Sequence, residues 1–118
     1  MPILQILKIV ISAISMLFGV LGVLRPQALA DFAHFGLSNA RGFAEMRINF
    51  GGLFIGLGAG AIVLNDPNVY LVLGLGYAGL AAVRSINLLF ERSLRDPIYL
   101  ATLGFEVASA LILIAPIT

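Results

Sequence analysis

The sequence predicts an all-α integral membrane protein: a single domain of four transmembrane helices in one bundle, with a short interfacial helix between the first and the second. Three observations carry this. Apolar residues make up 60% of the 118 positions and charged residues only 11%, with a mean hydropathy of +1.05, whereas about a quarter of a soluble domain is charged. Such a chain cannot cover itself with polar surface, so lipid must be the solvent for most of it. The apolar residues also gather into four runs, each long enough as a helix to cross about 30 Å of hydrocarbon. Finally, the breaks between runs carry residues that stop and start helices: Arg25-Pro26, Asn65-Asp66-Pro67-Asn68 and Asp96-Pro97.

The first run covers residues 3–24, with Lys8 as its one charge. A signal peptide is the rival reading, because Ala28-Leu29-Ala30 resembles a small-residue cleavage site. The run is longer than a usual signal core and the chain begins at Met1, so a retained transmembrane helix is expected. Arg25-Pro26 ends it, since proline disfavours helical geometry in the residue before it. Pro26 also suits the first turn of a new helix, expected over residues 27–35 and ended by Gly36. Asp31 and His34 among Ala28, Leu29, Phe32, Ala33 and Phe35 suit an interfacial position.

Ser38 or Asn39 offers an N-cap for the second spanning helix, residues 42–64. Asp66 and Pro67 cap the third, residues 68–91, and Asp96 and Pro97 the fourth, residues 97–115. Basic residues flank the first and third connections (Arg25, Arg41, Arg92 and Arg95, with Arg47 and Arg84 nearby), while the middle turn is acidic. The positive-inside rule then places those connections in the cytoplasm and both termini outside it, in a bacterial inner membrane.

Composition also excludes function classes. With no cysteine and one histidine, His34, thiolate metal sites, iron–sulfur clusters, cysteine nucleophiles and multi-histidine centres within the chain are not expected, and no cofactor is. A net charge of +1 does not supply the basic face of a nucleic-acid binder. Gly74-Leu75-Gly76-Tyr77-Ala78-Gly79 spells a dinucleotide fingerprint but lacks the preceding strand and the following acid, so it is not read as one.

The candidate site is a polar cluster. At about 100° per residue, each helix shows one polar or small stripe. These are Lys8, Ser12, Ser15, Gly19 and Gly22; then Glu45, Asn49, Gly52, Gly56 and Gly60; then Tyr77, Arg84, Asn87 and Glu91; and Tyr99, Thr102, Glu106 and Ser109. The inside of one bundle would accommodate all four, with Gly52, Gly56 and Gly60 letting another helix come close. Counting from a hairpin turn near residue 95 puts Arg84 and Glu106 at one depth, and Asn49 and Arg47 close to it. A lone Glu106 in hydrocarbon costs roughly 2.5–3.5 kcal/mol, so a pair with Arg84 is expected. The candidate ligand-binding residues are therefore Glu45, Arg47, Asn49, Arg84, Asn87 and Glu106. The bland readings stand beside this one: an Arg–Glu pair that only holds register, and Glu45 and Arg47 reaching lipid headgroups.

Pro26 after the first helix, a short piece ending Phe35-Gly36, and Ala44-Glu45-Met46-Arg47-Ile48-Asn49-Phe50-Gly51-Gly52, with Glu106 in the last helix, resemble a bacterial family of small four-helix membrane proteins catalogued as a domain of unknown function. The resemblance covers nearly the whole chain. It implies the four-helix membrane fold and supplies no activity. Small multidrug transporters are similar in length and helix count, but their essential acid lies in the first helix, where this chain has only Lys8.

Three functions remain open from sequence. One is a binding protein or transporter for a small amphipathic or anionic ligand, favoured by an apolar cavity beside Arg84. A second is an accessory subunit of a larger membrane complex or a homo-oligomer, favoured by Gly52, Gly56 and Gly60 facing outward. The third is a membrane-embedded acid–base enzyme using Glu106 or Glu45.

Overall fold

The computed structural model describes residues 3–33, 36–90 and 97–116. Among the described residues seven helical segments follow one another: α1 (Ile3–Leu24), α2 (Pro26–Ala33), α3 (Ala40–Glu45), a π-helical segment (Met46–Gly52), α4 (Leu53–Leu64), α5 (Pro67–Phe90) and α6 (Pro97–Ile114). No strand occurs among the described residues. Four helices are long and apolar enough to cross a membrane: Ile3–Leu24, Ala40–Leu64, Pro67–Phe90 and Pro97–Ile114. The chain is an all-α, multi-pass membrane protein, as expected. Glu91, the connection through Arg92 and Arg95, and the cap at Asp96 lie outside the described residues, as do His34 and Phe35.

The caps act through ordinary chemistry. Asn39 Oδ1 accepts from the Gly42 N–H at 2.8 Å, which satisfies a donor in the first turn of α3. Asp66 Oδ1 accepts from the Asn68 N–H at 2.8 Å at the start of α5. Asn65 closes α4 in the left-handed conformation at φ 46°, a role that suits asparagine among non-glycine residues. In α2, Leu29 and Ala30 are buried, while Gln27, Asp31 and Phe32 are exposed. Gln27 Nε2 donates to Asp31 Oδ1 at 2.6 Å along the exposed side.

The chain divides into two compact units, Ile9–Asn65 and Asp66–Thr118 together with Met1–Lys8. In the first, α1 and α4 approach backbone to backbone. A Cβ on Gly58 would lie 2.6 Å from the Ser12 carbonyl oxygen and 2.9 Å from the Met16 nitrogen. One on Gly19 would lie 2.7 Å from both the Gly51 carbonyl oxygen and the Ile55 nitrogen. No side chain fits such gaps, which is why glycine occupies them.

The glycine face expected of the second span is corrected here. A Cβ on Gly56 or Gly60 would meet nothing within 4 Å, and one on Gly52 only the Arg47 carbonyl oxygen at 3.9 Å. Gly51, Gly58 and Ala61 are the buried small residues instead. This span carries two small-residue stripes, and helical period alone does not say which is buried. The π-helical segment adds a further shift, because each of its turns takes more residues than the α-helical count assumes.

In the second unit α5 packs along α6. Gly74 is the tight point, where a Cβ would lie 2.8 Å from Leu113 Cβ and 2.9 Å from Ile114 Cγ1. Tyr77 meets Phe105 edge-on, with ring centroids 5.9 Å apart.

Candidate functional site

Arg84, three-quarters of the way along α5, faces Glu106 in the middle of α6. Arg84 Nε donates to Glu106 Oε1 at 2.6 Å and Nη2 to Oε2 at 3.1 Å. This is the bidentate fork that fits guanidinium to carboxylate. Glu106 is 4% exposed, whereas the Arg84 side chain keeps 26% of its surface open. The depth count from the last turn thus matched the two partners, and the pair is direct. On the other side of the guanidinium the Tyr99 ring lies 4.8 Å from Cζ, a cation–π contact. Asn87, one turn beyond Arg84, donates from Nδ2 to the Tyr99 hydroxyl at 3.1 Å.

An open groove of about 610 Å³ runs beside this cluster. It is lined by Gly76, Gly79, Leu80 and Val83 and, at its polar end, by Arg84, Asn87 and Tyr99. The α5 residues recur at steps of three and four, which puts them on one helix face. From Gly76 to Asn87 that face extends about 16 Å. Nothing lies within 4 Å of where a Cβ would stand on Gly76 or Gly79. The groove therefore exists because two residues have no side chain.

The six residues expected at the site fall into two groups, one in each unit. Arg84, Asn87 and Glu106 belong to the cluster just described. Glu45, Arg47 and Asn49 belong to Ile9–Asn65 and are exposed. There, Asn49 Nδ2 donates to Glu45 Oε2, and Arg47 Nε donates to the Val23 carbonyl at 3.2 Å. The second contact places a cation at the C-terminal turn of α1, where unpaired carbonyls and the helix dipole favour positive charge. Glu45, Arg47 and Asn49 flank or form the π-helical segment, a deformation often found at functional sites. Asn87 is exposed as well, so Glu106 is the buried member of the set.

Three residues matter more than sequence reasoning allowed. Tyr99 belongs to the polar stripe of the fourth span, α6, but not to the candidate set. Gly76 and Gly79 figure in the sequence only within a dinucleotide spelling that is not read as one, although their run at one helical period with Leu80, Val83, Arg84 and Asn87 is a readable signal.

Lys8 has a different task. It is 1% exposed, and its Nζ donates to the carbonyls of Ile112, Leu113 and Ala115 at 2.8, 2.7 and 2.6 Å. All three ammonium hydrogens are used on the last turn of α6, so the one charge in α1 is a cap for another helix.

No family model, curated protein or solved structure matches the chain. Chemistry has to be read from the site alone. Among the described residues no group of three His, Cys, Asp or Glu side chains gathers in a way that would hold a metal. Both carboxylate oxygens of Glu106 are engaged by Arg84, which suits a fixed recognition surface better than a proton shuttle. What the arrangement offers is an open, mostly apolar surface groove with a polar end.

Proposed function

We propose that this protein binds a small amphipathic molecule in the groove along α5, with its apolar part over Gly76 and Gly79 and its polar end at Arg84, Asn87 and Tyr99. The observation that carries this reading is the open, mostly apolar groove of about 610 Å³ beside Arg84. Gly79→Leu tests it. The new side chain has room, so the protein should fold with unchanged melting temperature while whatever amphipath copurifies from native membranes is lost. Copurification of the same molecule with Gly79→Leu at undiminished occupancy would refute the groove as the site.

A second reading, assembly with another membrane protein or a second copy, is supported by one observation: Gly52, Gly56 and Gly60 present an unobstructed small-residue row. Such rows let backbones approach in lipid.

The setting belongs to the same reading. The chain resides in a bacterial inner membrane, α2 lies at the interface, and both termini are non-cytoplasmic. Arg25, Arg41 and Arg47 support this orientation, and the burial of Lys8 against α6 removes the one basic side chain that would oppose it. Reporter fusions at each terminus should be active only when the reporter functions outside the cytoplasm; cytoplasmic activity would reverse the topology.

A further inference from the structure

Resting on the groove reading above, the geometry points to the charge and chemistry of the ligand: we infer an amphipath with one apolar chain and an uncharged, hydrogen-bond-accepting head, an ester or ketone carbonyl. Arg84 is the charged residue lining the groove among the described residues. Its charge is already matched by Glu106 through two bonds, at 2.6 and 3.1 Å. Among the described residues the polar end therefore has no net charge to offer an anion. An added carboxylate or sulfonate would stand near Glu106 with no second cation among the described residues that line the groove, in a medium that screens charge poorly. A cation would face Arg84 at the same disadvantage.

Donors, however, exceed acceptors there. A guanidinium has five N–H groups, of which the carboxylate takes two and the Tyr99 hydroxyl engages another; the Asn87 amide has two and gives one to Tyr99. A neutral carbonyl accepts from such a surface without bringing a charge into lipid. The chain would lie along Leu80 and Val83 over the two glycines, a path of about 16 Å, with one side open to the bilayer. The same carbonyl chemistry occurs in ester lipids and in free carbonyl amphipaths.

The test uses the intact protein in a nonionic detergent and three probes with the same alkyl chain, ending in a methyl ester, a sulfonate or a trimethylammonium group. Binding is measured by native mass spectrometry and repeated with Gly79→Leu. The ester should bind, and Gly79→Leu should abolish it. The sulfonate and the ammonium should each bind about tenfold more weakly or worse. A sulfonate or an ammonium that binds as tightly as the ester, and is still displaced by Gly79→Leu, would overturn the neutral-head assignment while leaving the groove intact. Binding of none of the three, or binding indifferent to Gly79→Leu, would overturn the groove itself. Glu106→Gln sharpens the result, because it exposes the charge of Arg84: the ester-to-sulfonate preference should reverse, and an unchanged preference in the folded variant would remove Glu106 from the explanation. Extraction of the native copurifying molecule then separates an ester lipid of the bilayer from a free carbonyl amphipath.

Discussion

In Ile9–Asn65, α1 and α4 meet where side chains are missing, at Gly19, Gly51 and Gly58. In the other unit, α5 and α6 meet with one such glycine, Gly74, and then through charge, Arg84 on Glu106, while Lys8 from the start of α1 holds the last carbonyls of α6. Both arrangements answer the same difficulty. Lipid tails are as apolar as leucine, so burying apolar surface does not by itself drive helices together, and association must come from close packing or from polar bonds. Close packing leaves no room for anything else. Polar bonding tolerates separation, and it is beside the charged pair that the chain carries an open groove.

The comparison breaks most readily at Gly58. Gly58→Leu would have to displace the α1 backbone at Ser12 and Met16, where even a Cβ has 2.6 and 2.9 Å. Overpacking against backbone, with no side chain able to swing away, should cost about 3 kcal/mol or more. Thermal unfolding in detergent reads this. A variant as stable as the wild type would mean that α1 and α4 are not in backbone contact.

The charged pair should break less severely, because the Arg84 side chain keeps 26% of its surface open and is not locked in a packed core. Glu106→Gln should cost about 2 kcal/mol, chiefly by leaving Arg84 without its counter-charge. Replacing both residues by glutamine should cost less than the two single replacements added together, since the double variant strands no charge. Additive losses in a double-mutant cycle would show that the fork contributes no coupling and that the unit is held by Gly74 and its apolar neighbours.

Much of this was legible from residues, and the illegible part has a physical cause. The spans and their caps follow from apolar runs and from Asp66-Pro67, because hydrocarbon thickness and capping geometry are nearly independent of the rest of the fold. The Arg84–Glu106 pair was legible because depth can be counted from a hairpin turn, and a lone charge in lipid is expensive. The Lys8 stripe was legible too: Lys8, Ser12, Ser15, Gly19 and Gly22 are all buried. Its partner was not. A lysine alone does not say whether it will meet a carboxylate or three carbonyls. The glycine faces failed for a related reason. Period places Gly52, Gly56 and Gly60 in one row and Gly51 and Gly58 in another, but which row meets α1 depends on packing in three dimensions and on the π-helical segment.

The smallest effect on the fold is expected at Gly56, and it is the sharpest control for the contrast. Gly56 and Gly58 are two residues apart in one helix and share the same intrinsic preferences, so propensity treats them alike. Nothing lies within 4 Å of a Cβ on Gly56. Gly56→Leu should therefore shift the stability of the single chain by no more than about 0.5 kcal/mol, and a leucine in place of glycine in a helix would favour the variant slightly. If the row of Gly52, Gly56 and Gly60 receives another helix in the membrane, the same substitution should instead lower the oligomeric mass seen by light scattering in mild detergent, because a leucine holds backbones apart that glycine lets meet. Unchanged stability with unchanged mass would leave that row facing lipid and remove the support for the assembly reading. Unchanged stability with a lost oligomer would make Gly56 the counterpart, between chains, of what Gly58 is within one.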